Sequence, residues 1–168
     1  MHARTAALVL AAALLAAPSL AAAPPRGPST QEERDKAVAT AKLLETKPWT
    51  DEATQGRTWF YQFLSEVPDV TVKQCHSLFG TQEQQRSIPK PLLDQVMYSG
   101  AAYMFTHPGA AAGDTKTLLA GLEGTLAAYS AWRAHGSFDA VPRLDELLKT
   151  QADGGLEFHV RAFARGCT

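Results

Sequence analysis

Apolar residues recur at helical spacing along most of the chain, and the gaps between these stretches carry cap and turn residues. Ser29 and Thr30 are each followed three positions later by a glutamate, Glu32 and Glu33, a capping-box spacing that predicts a helix start. That helix must stop before Pro48, because the residue preceding a proline is pushed out of helical conformation. Within it, Ala37, Val38, Ala41 and Leu44 fall on one side and charged residues on the other, as on a surface helix. Thr50, followed by Asp51 and Glu52, predicts a second start, since acidic groups favour the positive end of the helix dipole. This second helix carries Trp59, Phe60, Phe63 and Leu64 and ends before Pro68.

The stretch from Pro68 to Gly80 points two ways. Val70-Thr71-Val72 is β-like, whereas Val72, Cys75, His76 and Phe79 fit helical spacing with Gly80 as the stop; helix is the reading adopted. Thr81 and Gln84 repeat the capping pattern and predict a short helix ending near Ile88. Pro89 or Pro91 then opens a long helix that Pro108 closes, proline being favourable at a first helical position. After the loop HPGAAAG, Asp114 is the expected cap of a helix running to Gly136. Two shorter helices follow, one around PRLDELLKTQA, stopped by Gly154-Gly155, and one over LEFHVRAFARGC. The helix after Asp114 has a bulky side (Leu118, Leu122, Leu126, Tyr129, Trp132) and a small side (Ala120, Gly121, Gly124, Ala128, Ala131). Such a helix belongs in the middle of a bundle. Its predicted mate is the preceding helix, with its own small patch at Ser99, Gly100, Ala101 and Ala102. The pattern predicts an all-α, single-domain helical bundle of about six to seven helices, with no internal repeat.

The apolar run at the very start has a different meaning. His2 and Arg4 precede an unbroken Ala/Leu/Val stretch from Ala6 to Ala17, then Pro18 and small residues. This is the layout of a secretory signal, with cleavage expected after Ala21. At about a dozen residues the run is shorter than the roughly 20 that a bilayer span needs. Residues 1–21 are therefore expected to be a signal peptide, 22–28 (AAPPRGP) a flexible Pro-rich tether, and 29–168 the helical domain.

Export changes how the two cysteines are read. In an oxidising compartment, Cys75 and Cys167 are expected to form a disulfide. Closing so long a loop is worth about 4–5 kcal/mol through lost chain entropy in the unfolded state. Charge excludes some partners. Removing the leader's single Arg4 from 16 Lys+Arg leaves 15 against 17 Asp+Glu, a balance of −2. That balance offers no drive toward nucleic acid and no polybasic pull toward anionic lipid. No apolar run after the leader predicts stable membrane insertion.

Candidate chemistry is thin. His76, His107, His135 and His159 lack a histidine partner at metal-ligand spacing on a helix, and Asp153 and Glu157 beside His159 form no inward cluster. No metal site is predicted. Cys75-His76 would need a cysteine where Val72 stands to attach a c-type haem, and Ser77 stands where a helical secreted phospholipase would need Asp. No nucleophile elbow, phosphate loop or spare thiol is present, so neither a catalytic residue nor a cofactor is predicted. Glu123 is the one carboxylate in its apolar helix, but it lines up with Lys116 and Ser130 in a solvated strip. Arg57, Arg133 and Arg161, with Arg165 and Glu123, would make a ligand pocket if their helices converge.

The function expected first is an exported, periplasmic or secreted helical binding protein with a protein partner, such as an inhibitor or immunity protein acting on a toxin or cell-wall enzyme. Trp49 in KPWTDE and the loop from His107 to Gly113 are its expected contact points, since loops and aromatic anchors carry binding. The alternatives are a small helical enzyme or ligand carrier with an inter-helix site, and a structural envelope protein. The balance leans away from an enzyme.

Overall fold

The computed structural model describes residues 26–136 and 139–167. The expected signal peptide and residues 22–25 of the tether lie outside the described residues. Seven α-helices carry the described chain: α1 (Gln31–Thr46), α2 (Asp51–Glu66), α3 (Gln82–Arg86), α4 (Lys90–Thr106), α5 (Thr115–His135), α6 (Pro142–Ala152) and α7 (Leu156–Phe163). No strand occurs among the described residues.

The starts lie where the cap residues put them. The Thr30 hydroxyl accepts the Glu33 N–H while the Glu33 carboxylate accepts the Thr30 N–H, so two otherwise unpaired donors are satisfied. Ser29, the neighbouring candidate, instead donates both its N–H and its hydroxyl to Asp69, at 2.8 Å each. Thr50 caps α2 and Thr81 caps α3, the latter with a full capping box to Gln84. Pro89 stands at the cap of α4 with Pro91 in its first turn, and Pro142 is the first residue of α6. Gly136 ends α5 with a φ of 76°, a left-handed conformation that glycine adopts without steric cost. Of the expected tether, Arg26 is tied to the bundle: it pairs with Glu33 and Glu66, and its guanidinium lies 5.3 Å from the Phe63 ring centroid.

Helices α4 and α5 are the paired centre, and α1 packs across both. A β-carbon placed on Gly121 would lie 2.4 Å from the Val96 carbonyl oxygen, and one on Gly124 would lie 2.0 Å from Ser99 Oγ. The small side of α5 is therefore what lets α4 approach, and this contact offsets the roughly 1 kcal/mol that each mid-helix glycine costs. The bulky side of α5 faces the other way. Leu118, Leu122, Leu126 and Tyr129 join Leu78, Phe79, Leu144, Leu147, Leu156 and Val160 in one apolar cluster. A second cluster joins Ala37, Ala41 and Leu44 of α1 to Phe60, Phe63 and Leu64 of α2. Helix α4 serves both, giving Leu92 and Val96 to the first and Met97, Tyr98 and Ala101 to the second.

The helix expected between Pro68 and Gly80 is absent. After a turn at Pro68-Asp69, Val70 to Cys75 runs without helix, turn or bend, and His76–Phe79 makes a single 3-10 turn. The apparent helical spacing joins residues that belong to different clusters. Val70 and Val72 pack on the α1–α2 cluster, whereas Cys75 and Phe79 are buried in the other. A connection between two clusters is better served by unwound chain, which spans about 3.3 Å per residue against 1.5 Å in a helix. The stiff side chains of Val70, Thr71 and Val72 favour that course as well.

Cys75 and Cys167 are disulfide-bonded, with Cα atoms 4.4 Å apart and a sequence separation of 92. Two further contacts fasten the chain end to the same place. Ser77 Oγ donates to the Phe163 carbonyl at 3.1 Å, and His159 Nε2 donates to the Leu78 carbonyl at 2.7 Å. Among the described residues, no helix is long and apolar enough to cross a membrane.

Candidate functional site

Helix α4 ends as Pro108 approaches, and the His107 N–H closes it by donating to the Met104 carbonyl at 3.3 Å. The loop beyond is compact. Ala110 N–H donates to the His107 carbonyl at 3.0 Å, and Asp114 Oδ2 accepts the Ala111 N–H at 2.8 Å. Asp114 thus braces the loop with its side chain instead of capping α5 with it.

Across from this loop runs the unwound segment. Between Val70-Thr71 on one wall and Pro108–Ala112 on the other lies a cleft of about 390 Å³, with Met104 and Phe105 also lining it. Arg34 and Asp69 complete the lining. Arg34 Nη2 lies 3.1 Å from Asp69 Oδ2. The Asp69 carboxyl is held below its ordinary value of 3.8, first by the Ser29 N–H, then by the Ser29 hydroxyl and the Arg34 charge. The same segment also borders a second cleft, of about 320 Å³, which Val72 and Gln74 line with Tyr61, Leu64 and Met97.

The backbone around the first cleft has spare capacity. From Val70 to Gln74, no N–H donates and no carbonyl accepts a hydrogen bond within the described residues. On the opposite wall the same holds for the N–H groups of Gly109 and Ala112 and the carbonyls of Pro108, Gly109 and Ala110. Backbone groups are strong, obligatory hydrogen-bonding groups, so two such walls facing each other form a polar edge lined with apolar side chains.

The expected contact residues have different surroundings. His107 is exposed at the root of the loop, its ring stacked on Tyr103 with centroids 3.9 Å apart. Trp49 is half-buried, stacks on His135 at 4.0 Å and packs against the first apolar cluster. The four residues expected to line a ligand pocket are held in separate places. Arg57 donates to the Pro48 carbonyl at 3.2 Å and lies 5.7 Å from the Trp132 ring centroid; burial pulls its pKa down, with Tyr98 and Asp94 opposing. Arg133 donates to the Tyr129 hydroxyl at 3.0 Å, and Arg161 pairs with Glu157 on the exposed side of α7.

Glu123 lies, with exposed Lys116 and Ser130, on the outer side of α5. It lines a groove of about 490 Å³ between α1, α4 and α5, which none of the three arginines reaches. Partial desolvation there raises its pKa. Glu45 lines the same groove and is fixed from behind. Buried Gln95 donates to Ser99 Oγ at 2.9 Å, and Ser99 Oγ donates to Glu45 Oε1 at 2.8 Å.

Two features escape the sequence pattern. The first is the second wall of the cleft, hidden because 68–80 reads as helix, although Val70-Thr71-Val72 carried the right signal. The second is Phe158, 79% exposed on α7. It stands off the stripe set by buried Leu156 and Val160, and that off-stripe position is visible on a helical wheel. No protein-family model, curated protein or solved structure matches the chain.

Proposed function

We propose that this chain is an exported binding protein that acts by contact with another protein, which it receives in the cleft between Val70-Thr71 and Pro108–Ala112. The observation that carries this reading is that cleft: Val70, Met104, Phe105 and Pro108 line it beside Thr71 and the Arg34–Asp69 pair, and backbone groups on both walls have no partner within the described residues. Binding residues are commonly held on loops by a rigid scaffold. Here the scaffold is the α4–α5 pair, and the disulfide and the Ser77 and His159 hydrogen bonds hold the segment's C-terminal end. Export is supported by the leader-like first 21 residues together with the disulfide. An inhibitor or immunity role against a toxin or cell-wall enzyme is the form of contact favoured, since a stable scaffold with one receiving edge suffices for it.

The test places a photo-crosslinking amino acid at Ala111 in the chain expressed in its source organism, with a second at exposed Lys149 as a control position. A discrete adduct with one other protein from Ala111, and none from the control, is expected. No adduct, or equal adducts from both positions, would overturn the reading.

The groove between α1, α4 and α5 favours a second reading, a carrier of a small ligand. Its volume of about 490 Å³ is in the range of small-molecule sites, and its lining mixes alanines with Glu45, Ser99, Tyr103 and Glu123. Saturable binding of a small polar metabolite that Ala120→Trp abolishes would support it over the first.

A further inference from the structure

Resting on the reading of the chain as a protein that acts by contact with another protein, we infer that α7 is a second contact face, whose anchor Phe158 and neighbouring Arg161 and Arg165 meet an apolar pocket rimmed by acidic groups on that partner. Three large apolar side chains are exposed among the described residues, and two of them, Phe158 at 79% and Phe163 at 42%, stand on this one helix of eight residues. A single exposed apolar side chain is ordinary and asks for no partner. What sets Phe158 apart is how firmly its helix is held. The disulfide joins Cys167, just beyond α7, to Cys75. Ser77 Oγ donates to the Phe163 carbonyl, and His159 Nε2 donates to the Leu78 carbonyl. Gly166 comes so close to the His76–Phe79 turn that a β-carbon on it would lie 2.9 Å from Ser77 Cβ. Leu156 and Val160 are buried in the cluster of α5 and α6. A helix this short is marginal by itself. These contacts fix it from its inner side and its C-terminal end, and none of them uses Phe158.

The chemistry of the partner follows from what surrounds Phe158. Helical spacing places Arg161 and Ala162, three and four positions on, beside it, and both are exposed. Arg165 is exposed in the 3-10 turn that follows and makes no hydrogen bond or ion pair among the described residues. Arg161 pairs with Glu157 on the same helix, and an exposed pair of this kind is exchanged for another at little cost. Two arginines against one glutamate leave this face with one positive charge in excess, on a chain whose formal net charge is −1. Aromatic residues and arginine are enriched where proteins meet, and a residue on a helix already fixed loses less freedom on binding. A ring flanked by arginines is complemented by an apolar pocket with carboxylates on its rim. A lipid surface would call for a longer apolar face and a cluster of basic residues, and α7 offers one ring and one excess charge.

The experiment places benzoylphenylalanine, a photo-crosslinking residue that keeps the phenyl ring, at Phe158, and follows the Ala111 crosslinking chain in parallel. Phe158→Ala, Arg165→Glu and Arg165→Lys are then made in the Ala111 chain. These side chains are exposed, so the thermal midpoint is expected to equal that of the parent, and it is measured first. The expected result is an adduct from position 158 with the same protein that Ala111 captures. Phe158→Ala should lower the Ala111 adduct about tenfold or more, the size of an anchor residue at a contact. Arg165→Glu should lower it as well, by a factor that shrinks as salt is raised, while Arg165→Lys stays within about twofold. If position 158 gives no adduct and Phe158→Ala leaves the Ala111 yield unchanged, the α7 face is overturned while the cleft reading stands. A protein adduct from position 158 alone supports the α7 face and removes the cleft from the contact. An adduct with phospholipid, or with the mass of two copies of this chain, overturns the proposed partner in favour of a membrane or of self-association. No adduct from either position overturns both readings.

Discussion

Individual residues show how packing and ionisation each set a measurable constraint on the fold. Gly121 occupies a position where alanine has the better intrinsic helix propensity by about 1 kcal/mol. A methyl group there would meet the Val96 carbonyl oxygen at 2.4 Å, and a backbone atom in a packed helix cannot turn aside. Gly121→Ala is therefore expected to destabilise by about 1–3 kcal/mol, as overpacked cores do. Urea unfolding checks this, and an unchanged or raised midpoint would show that α4 and α5 can move apart freely. Ionisation supplies the second case. Asp69 has a folded-state pKa below its ordinary 3.8, so its contribution to stability is complete above that value and is lost as pH falls through the lower, folded one. Between about pH 5 and pH 3, Asp69→Asn should lose less stability than the parent chain. Glu123 runs the opposite way. Desolvation raises its pKa, so its charged form is disfavoured in the folded state. Glu123→Gln should be the more stable protein near neutral pH, and the difference should vanish in acid below the ordinary carboxylate range. A pH-independent difference at either site would assign the effect to packing instead of charge.

At the scale of elements, most of the fold was legible because its signals are local. Thr30 with Glu33, Thr81 with Gln84, Pro89 and Gly136 each act within a few residues of themselves, and each marks the boundary the structure shows. The small side of α5 was legible for a related reason: glycines inside a helix need a close neighbour to justify them. The segment from Pro68 to Gly80 was misread because its conformation is set by distant partners. Cys75 is fixed by a residue 92 positions away, and Val72 and Phe79 belong to different clusters. Periodicity counts spacing along the chain and has no knowledge of either. The scattered surroundings of Arg57, Glu123, Arg133 and Arg161 have the same origin, since convergence of helices is a tertiary property. The corrected element makes its own prediction. Thr71→Pro should change stability by no more than about 0.5 kcal/mol, the usual range for a surface change that breaks nothing. Proline at Thr125, buried in the middle of α5, should cost about 3 kcal/mol or more. Equal losses at both positions would mean that 70–74 is helical after all.

At the scale of the molecule, the described residues form two apolar clusters joined chiefly through one helix, and the disulfide lies in one of them. Cys75 is in the cluster of α5, α6 and α7, and the Phe163 and Leu78 carbonyls that receive Ser77 and His159 lie beside it. Helices α1 and α2 hold their own aromatic set, with Trp59 stacked on Phe63 at 5.1 Å and Phe60 on Tyr98 at 5.0 Å, and their buried apolar residues belong to the cluster without the bridge. Cutting it should therefore act unevenly. Reduction, or Cys75→Ser with Cys167→Ser, is expected to lower global stability by about 4–5 kcal/mol, because a long loop regains its freedom in the unfolded state. Before that limit is reached, the native state should open locally where the staple was. In hydrogen exchange of the reduced protein, amides of α7 and residues 76–79 should lose protection first, while those of α1 and α2 keep theirs. The order follows from α4, which alone supplies several buried residues to each cluster. Loss of α7 leaves its Met97, Tyr98 and Ala101 face still covered by α1 and α2. Protection lost in all helices together would show that α4 couples the clusters into one cooperative unit. The cleft proposed to receive a partner sits where the clusters meet, with Val70 and Met104 on the α1–α2 side and the segment's far end at Cys75. Reduction should then release one end of Val70–Gln74 while α4 still positions the opposite loop. The Ala111 adduct is expected to weaken under reductant at concentrations that leave the α1 and α2 amides protected.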